Sequence, residues 1–507
     1  MNLIGVPYRS KLVCENDENN DAKLFIEEMD GKLRVVLSAS KTKVKWIELY
    51  WKADFSDDTL VLGDAFERTY SNVYFKKIQD AGSMAWYFLT TDGEKKTAVG
   101  VMTCPSSFVT FTVSKNEIKA VLDVRCGGIG VELRGRKLIA AEIISKEYTC
   151  SEFEALKDFC ALMCPCPLLP KDVVYGGNNW YYAYGESSRE EILNDAQYQS
   201  LLASGLKNRP FMVIDDGWQI NKCAGPWIPN KRYGDMGSIA AEMKKMDVKP
   251  GIWVRLLRDD VSVFPESWRL ENHNSSKNML DPSNPEVLAH ISDIVKQFVK
   301  WGYELIKHDF TTYDIIGKWG RANEELFADD GWSFFDKTRT TAEIIKHLYK
   351  TILDAAEDAL ILGCNTVSHL GAGLVHISRI GDDTSGYDWE RVYRYGVNSL
   401  AFRLAQHNRF YAVDADCVGF KGIEWEKNEQ WLKLLAVSGT PLFVSCPKDK
   451  LNEQEFEIMR EAYRRASVQN DRLEPLEWLS TAIPSKYKLN GSEILDFEWF
   501  IKREENS

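Results

Sequence analysis

Between residues 172 and 446 the sequence keeps one rhythm: a short apolar run, a turn, a helix-period segment, then another short apolar run. Eight runs read as strands: Val173–Trp180, Pro210–Asp215, Pro250–Leu256, Tyr303–Asp309, Leu360–Asn365, His376–Ile380, Arg409–Asp414 and Pro441–Ser445. Between them lie segments such as SREEILNDAQYQSLLASG, NPEVLAHISDIVKQFVKWG and TAEIIKHLYKTILDAAED, whose apolar residues recur at helical spacing. The first of these opens on Ser188 before Glu190 and Glu191, a capping pattern that also complements the helix dipole. Eight strands alternating with helices over about 270 residues predict an α/β chain built on a (β/α)8 barrel, whose usual span is about 250. A doubly wound sheet is the rival. It normally uses fewer strands and a Gly-rich phosphate turn, and neither GxGxxG nor GxxxxGK occurs at a strand-to-helix junction.

The flanks read differently. Over 1–150, runs such as LRVVLSAS, WIELYWKA, SFVTFTVS and AVLDVRC alternate apolar with polar residues and are broken by Gly, Asp and Asn, which predicts an N-terminal β-sandwich. Residues 151–171 read as a helical linker, 172–446 as the catalytic barrel, and 447–507 as a short C-terminal helix and β segment. Cys160, Cys164 and Cys166 in the linker invite a metal reading, but no fourth ligand sits nearby at a finger-like spacing, so buried thiols are expected instead. The net charge of −12 argues against nucleic acid and anionic membranes as partners. No apolar run approaches the roughly 18 residues of a membrane span. MNLIGVPYRSKL lacks the layout of a signal peptide, so reduced cysteines and a cytoplasmic location are expected.

In such a barrel the reacting groups gather where the strands end. The second strand ends in Asp215-Asp216, the fourth in Lys307-His308-Asp309, the sixth runs into Arg379 and then Asp382-Asp383, and the seventh ends at Asp414 and Asp416. Trp180 ends the first. Strand alternation turns Lys307 and Asp309 toward the barrel axis and Ile306 and His308 toward the helices. An inward lysine needs a counter-charge, which Asp309 or Asp215 can supply. Two carboxylates across a pocket suit glycosidic cleavage, one attacking the anomeric carbon and the other protonating the leaving oxygen. A neighbouring lysine keeps the nucleophile ionised, and an arginine can hold hydroxyls or orient the acid.

The motifs GGNNWYYAYG, VIDDGWQ, GIWV, LDPSNPEV, IKHDF and RIGDD resemble, in order, the clan D glycoside hydrolases of families 27 and 36. These include α-galactosidases, α-N-acetylgalactosaminidases and raffinose-synthase relatives. LGDAFERTYSNVYF resembles part of the family 36 N-terminal sandwich. The resemblance implies a retaining glycosidase that releases terminal α-linked galactose or N-acetylgalactosamine from an oligosaccharide or glycoside, with no metal or other cofactor. It makes Asp309 the nucleophile and Asp383 the acid/base, with Asp382 the alternative if the loop is offset by one. It assigns Asp215 and Asp216 to the sugar's 4- and 6-hydroxyls and Trp180 to the platform under the ring. Arg379 then lies near the 2-position, and Trp253, Lys307 and Asn365 join the substrate-binding set.

Two departures stand out. Lys-His-Asp-Phe-Thr and GCNTVSHLGAG replace the family's frequent Lys-Trp-Asp-Met-Asn and Cys/Ser-Gly-Gly-rich loop, and the loop from Asn365 to Gly373 is expected to face the 2-substituent. A raffinose-synthase-like α-galactosyl transglycosylase is the rival of the same chemistry, differing in whether water or a sugar resolves the intermediate. An enolase-like Mg²⁺ barrel is the rival from another class. The sequence leaves linkage, aglycone and oligomeric state open, a homo-oligomer included.

Overall fold

The computed structural model describes residues 5–15, 20–270, 278–320, 325–448, 450–468 and 472–501. Its centre is the expected parallel ring. The eight strands are Tyr175–Asn178, Phe211–Ile214, Lys249–Val254, Leu305–His308, Leu360–Gly363, Ile377–Arg379, Ala412–Asp414 and Leu442–Ser445. The first seven pair in chain order and the eighth pairs back with the first. A two-residue strand, Val418–Gly419, follows the seventh and pairs with the eighth, so the ring closes through residues 412–419.

Alternation sorts the side chains. Val174, Phe211, Val213, Leu305, Leu362, Ile377, Ala412 and Phe443 belong to a cluster of their own, the filling of the barrel. Met212, Ile214, Ile252, Ile306 and Ile361 belong to the larger core, beneath the helices. The parity that turns Leu305 inward also turns Lys307 inward. His308 takes the opposite face and packs beside Tyr349 of the helix Thr341–Ala355, with ring centroids 5.8 Å apart.

The sandwich is one nearly closed antiparallel sheet of eleven strands, from Arg9–Cys14 to Lys137–Tyr148. Its strand Lys32–Ser38 buries Leu33, Val35 and Leu37 and leaves the residues between them half-buried, the expected period of two. Helix Glu152–Met163, capped by Ser151, leads to the barrel. Cys160 and Cys164 are buried there while Cys166 is exposed. After the barrel come helix Glu453–Ala466, opened by an Asn452–Glu455 capping box, and a three-stranded antiparallel sheet. Among the described residues no helix is long and apolar enough to cross a membrane.

One segment of the sandwich positions the site. Asp64 forms a fully buried ion pair with Arg403 at 2.7 Å, and Arg403 also donates to the Ala65 carbonyl. Downstream, Thr69 N–H donates to the Ile380 carbonyl at 2.8 Å, and Asp382 N–H donates to the Thr69 carbonyl at 2.9 Å. Residues 64–70 thus extend the end of the sixth barrel strand, pairing Thr69 with Gly381 in parallel. Arg68 is thereby delivered beside Asp382 and Asp383.

Candidate active site

The strand ends enclose a cavity of about 680 Å³. On its floor Lys307 Nζ donates to Asp215 Oδ2 at 2.7 Å, and Asn178 Nδ2 donates to the same oxygen at 2.7 Å. Of the two counter-charges considered for Lys307, it is Asp215 that pairs with it. Burial pulls the Lys307 pKa down, but Asp215 outweighs it and holds the ammonium well above its ordinary value. Asp216 accepts from Gln219 Nε2 at 2.7 Å and from Cys223 N–H at 2.9 Å. Burial still pushes its pKa up, these hydrogen bonds opposing it. The chain turns at once after this pair. Gly217 has φ +107°, and a Cβ there would lie 2.4 Å from the Gly185 carbonyl oxygen, so only glycine fits.

Asp309 stands half-buried on one wall. Its Oδ1 accepts from Phe310 N–H at 2.7 Å and its Oδ2 from Trp253 Nε1 at 3.2 Å. Each oxygen thus has one fixed neutral donor, which sets the carboxylate plane. Phe310 adopts φ 61°, ψ 0°, a left-handed conformation that strains a residue with a Cβ. Its ring lies 4.1 Å from the Arg255 guanidinium, and Arg255 is tied to buried Asp314. The strained turn is held from both sides.

Asp383 stands between two guanidiniums. Arg379 Nη2 and Arg68 Nη1 both donate to its Oδ1 at 3.1 Å. Burial raises its pKa, but Arg68 first, then Arg379, Lys307 and Arg391, outweigh burial and hold the carboxyl below the ordinary range. Asp382 is instead clasped by Arg68 at 3.1 Å and Arg391 at 3.2 Å. Both line the cavity, and the Asp383 side chain is the more open of the two, 43% exposed against 12% for Asp382. Arg379 is fixed from behind by Asp416, which also accepts from Tyr181 Oη and, at 2.7 Å, from Thr384 N–H.

Trp180, Asp215, Asp216, Trp253, Lys307, Asp309, Arg379 and Asp383 all line this one cavity. Asn365, expected in the substrate-binding set, is not among the residues that line it. It is fully buried, donates through Nδ2 to Glu67 and accepts from Tyr313 N–H at 3.1 Å. Parity is the reason: Leu362 on the fifth strand and Cys364 just past its end face inward, so the next residue turns outward. Cys364 lines the cavity in its stead.

The sequence reading missed Arg68, Tyr70 and Trp319 as lining residues, and Asp416 as the anchor of Arg379. Arg68 and Tyr70 lie inside LGDAFERTYSNVYF, so the segment was visible but not its destination. Among the described residues no group of three or more His, Cys, Asp or Glu is disposed to hold a metal ion.

No protein-family model matches the sequence, and a comparison with curated proteins finds no match. Solved structures do match. The chain superposes on an α-galactosidase from Thermus thermophilus, bound to p-nitrophenyl α-D-galactopyranoside, with TM-score 0.66 and 16% identity, covering 96% of this chain and 99% of that one. A family 36 α-galactosidase from Geobacillus stearothermophilus gives 0.60 at 12% identity, covering 92% and 76%. The galactosidase domain of an α-galactosidase–sucrose kinase gives 0.61 at 15%, covering 93% and 70%. The (β/α)8 barrel with its N-terminal β-sandwich is therefore the fold of the family 36 α-galactosidases.

Proposed function

We propose that this chain is a retaining α-glycosidase of the α-galactosidase type, acting on terminal α-linked galactose by double displacement. One observation carries the reading: two carboxyl groups, Asp309 held by neutral donors and Asp383 between two guanidiniums, share a cavity whose floor is a buried lysine–carboxylate pair. Asp309, oriented by two neutral donors, attacks the anomeric carbon. Asp383 protonates the departing glycosidic oxygen. The glycosyl–Asp309 ester then meets a water from which Asp383 takes the proton, and the sugar leaves with its α-configuration restored. Lys307 favours the negative charge that returns to Asp309 when the ester breaks, and holds Asp215 in place. Asp215 and Asp216 supply acceptors for ring hydroxyls, and Trp180 and Trp253 offer apolar planes to the ring.

The structural neighbours support the sugar. Those just described are α-galactosidases, and variants of the Geobacillus enzyme are solved with stachyose and raffinose. The test is stereochemical. Proton NMR of p-nitrophenyl α-galactoside hydrolysis should show α-galactose as the first product, mutarotating later. β-Galactose released first would mean inversion and end the double-displacement reading. Faster cleavage of the matching N-acetylgalactosaminide would replace the sugar but not the mechanism.

A further inference from the structure

Six charges of alternating sign run through the acid in one row: Asp416, Arg379, Asp383, Arg68, Asp382 and Arg391. The inner end of the row is closed to water, with the Arg379 and Asp416 side chains each 2% exposed. There Asp383 and Asp416 draw on the same nitrogen. Arg379 Nη2 donates to Asp383 Oδ1 at 3.1 Å, to Asp416 Oδ2 and, at 3.3 Å, to Tyr181 Oη, three acceptors for two N–H bonds. No other edge of the guanidinium relieves that competition: among the described residues Nε has no partner, and Nη1 reaches Cys364 Sγ at 3.8 Å. Asp416 Oδ2 is itself fixed by Tyr181 Oη and by Thr384, whose N–H and Oγ1 donate at 2.7 and 2.8 Å. The Asp416 backbone is left-handed, φ 78°, and its N–H donates to Asp414 Oδ1 at 3.0 Å. A strained residue is thus held with its carboxylate against Arg379.

We propose that Asp416 is a positioning residue for the acid: by engaging Arg379 it limits the hold of that guanidinium on Asp383, so that Asp383 keeps the proton the leaving oxygen needs. This role rests on the α-glycosidase reading above. Burial favours the protonated form of Asp383, but Arg68, Arg379, Lys307 and Arg391 outweigh it, and the acid must start each cycle protonated. A buried counter-anion on Arg379 opposes the cations where water and salt screen it little. The other groups around the two carboxylates do not do this. Burial pushes the pKa values of Tyr181, Tyr184, Cys364 and Cys417 up, so they stay protonated and neutral. Burial raises Asp414 as well, and Asp382 faces Arg68 and Arg391 rather than Arg379.

The test follows kcat/KM against pH for methyl α-galactoside, whose leaving oxygen needs the acid, and for p-nitrophenyl α-galactoside, whose phenolate leaves with little help. Asp416→Asn keeps the shape and an acceptor but removes the charge. The basic limb for the methyl galactoside should then move about one unit to lower pH, a loss of about tenfold above the limb. The aryl substrate should change far less, and azide should not rescue the variant, because the Asp383 carboxyl is still in place. Tyr181→Phe, which frees Asp416 for Arg379, should move the limb the other way, and it carries the comparison if Asp416→Asn does not fold. A limb that stays in place or rises in Asp416→Asn, or equal losses on both substrates, would make Asp416 a structural residue and overturn the proposal. If the wild type cleaves neither galactoside, it is the α-galactosidase reading that fails.

Discussion

At the scale of single residues, Arg68 separates charge from architecture at the site. It contributes a cation to Asp383 without touching the reacting bond. In Arg68→Met the proton-bound form of Asp383 is no longer penalised by that cation, so its pKa rises. The acid must be protonated to act, so the basic limb of the kcat/KM profile should move to higher pH. A limb that stays in place would detach Arg68 from the acid. The adjacent pair Asp382 and Asp383 gives a second prediction. Asp383→Ala should lose about 10²- to 10⁴-fold on poor leaving groups, with a smaller loss on activated aryl galactosides and rescue by azide as the α-galactosyl azide. Asp382→Ala should not show that pattern, because its carboxylate is spent on Arg68 and Arg391. A swapped result would put the acid one residue earlier. Alternation made Lys307 and Asp309 legible in the sequence, and the same rule, applied one residue further along the fifth strand, separates Asn365 from Cys364. Arg68 was not legible as a partner of Asp383, since the two lie 315 residues apart and only the docking of the sandwich joins them.

At the scale of elements, the apolar runs announced all eight strands, yet several runs are longer than the strands they became. Val173–Trp180 contains a strand of only Tyr175–Asn178. The run ends as the chain bends away over the cavity, which is how Trp180 comes to line it. Val418–Gly419 was invisible because two residues carry no period. The fourth strand also stores a pH dependence. His308 is fully buried, neither ring nitrogen has a hydrogen-bond partner among the described residues, and burial pulls its pKa down to about 4. Unfolded, it titrates near its ordinary value of about 6.5. Above that pH it is neutral in both states. As pH falls from about 6.5 toward 4 the unfolded chain binds the proton first, so stability is lost on acidification. His369, His376 and His407 are held at about 4 by the same cause and add to the slope. His308→Leu should therefore flatten the fall in Tm between pH 7 and 5. Parallel curves for variant and wild type would contradict the assignment.

At the scale of the whole molecule, the sandwich supplies part of the cavity wall, and the Asp64–Arg403 pair fastens it there. Both partners are fully buried, and Gln406 Nε2 also donates to Asp64 at 2.9 Å. Removing one partner strands a buried charge, so Arg403→Met should cost about 3–5 kcal/mol in urea unfolding. A loss under about 1 kcal/mol would mean that the interface tolerates the charge by other means. The two architectures were each readable from periodicity, 2 in the first part and 3.6 between strands later. Their junction was not, because it rests on single side chains and one short parallel pairing at Thr69. Double displacement turns finally on which carboxylate attacks. Incubation with 5-fluoro-α-galactosyl fluoride, followed by peptide mapping by mass spectrometry, should place one glycosyl group on the peptide containing Asp309. A label on Asp383, on Asp215 or on any other residue, or turnover of the reagent by Asp309→Ala, would contradict it.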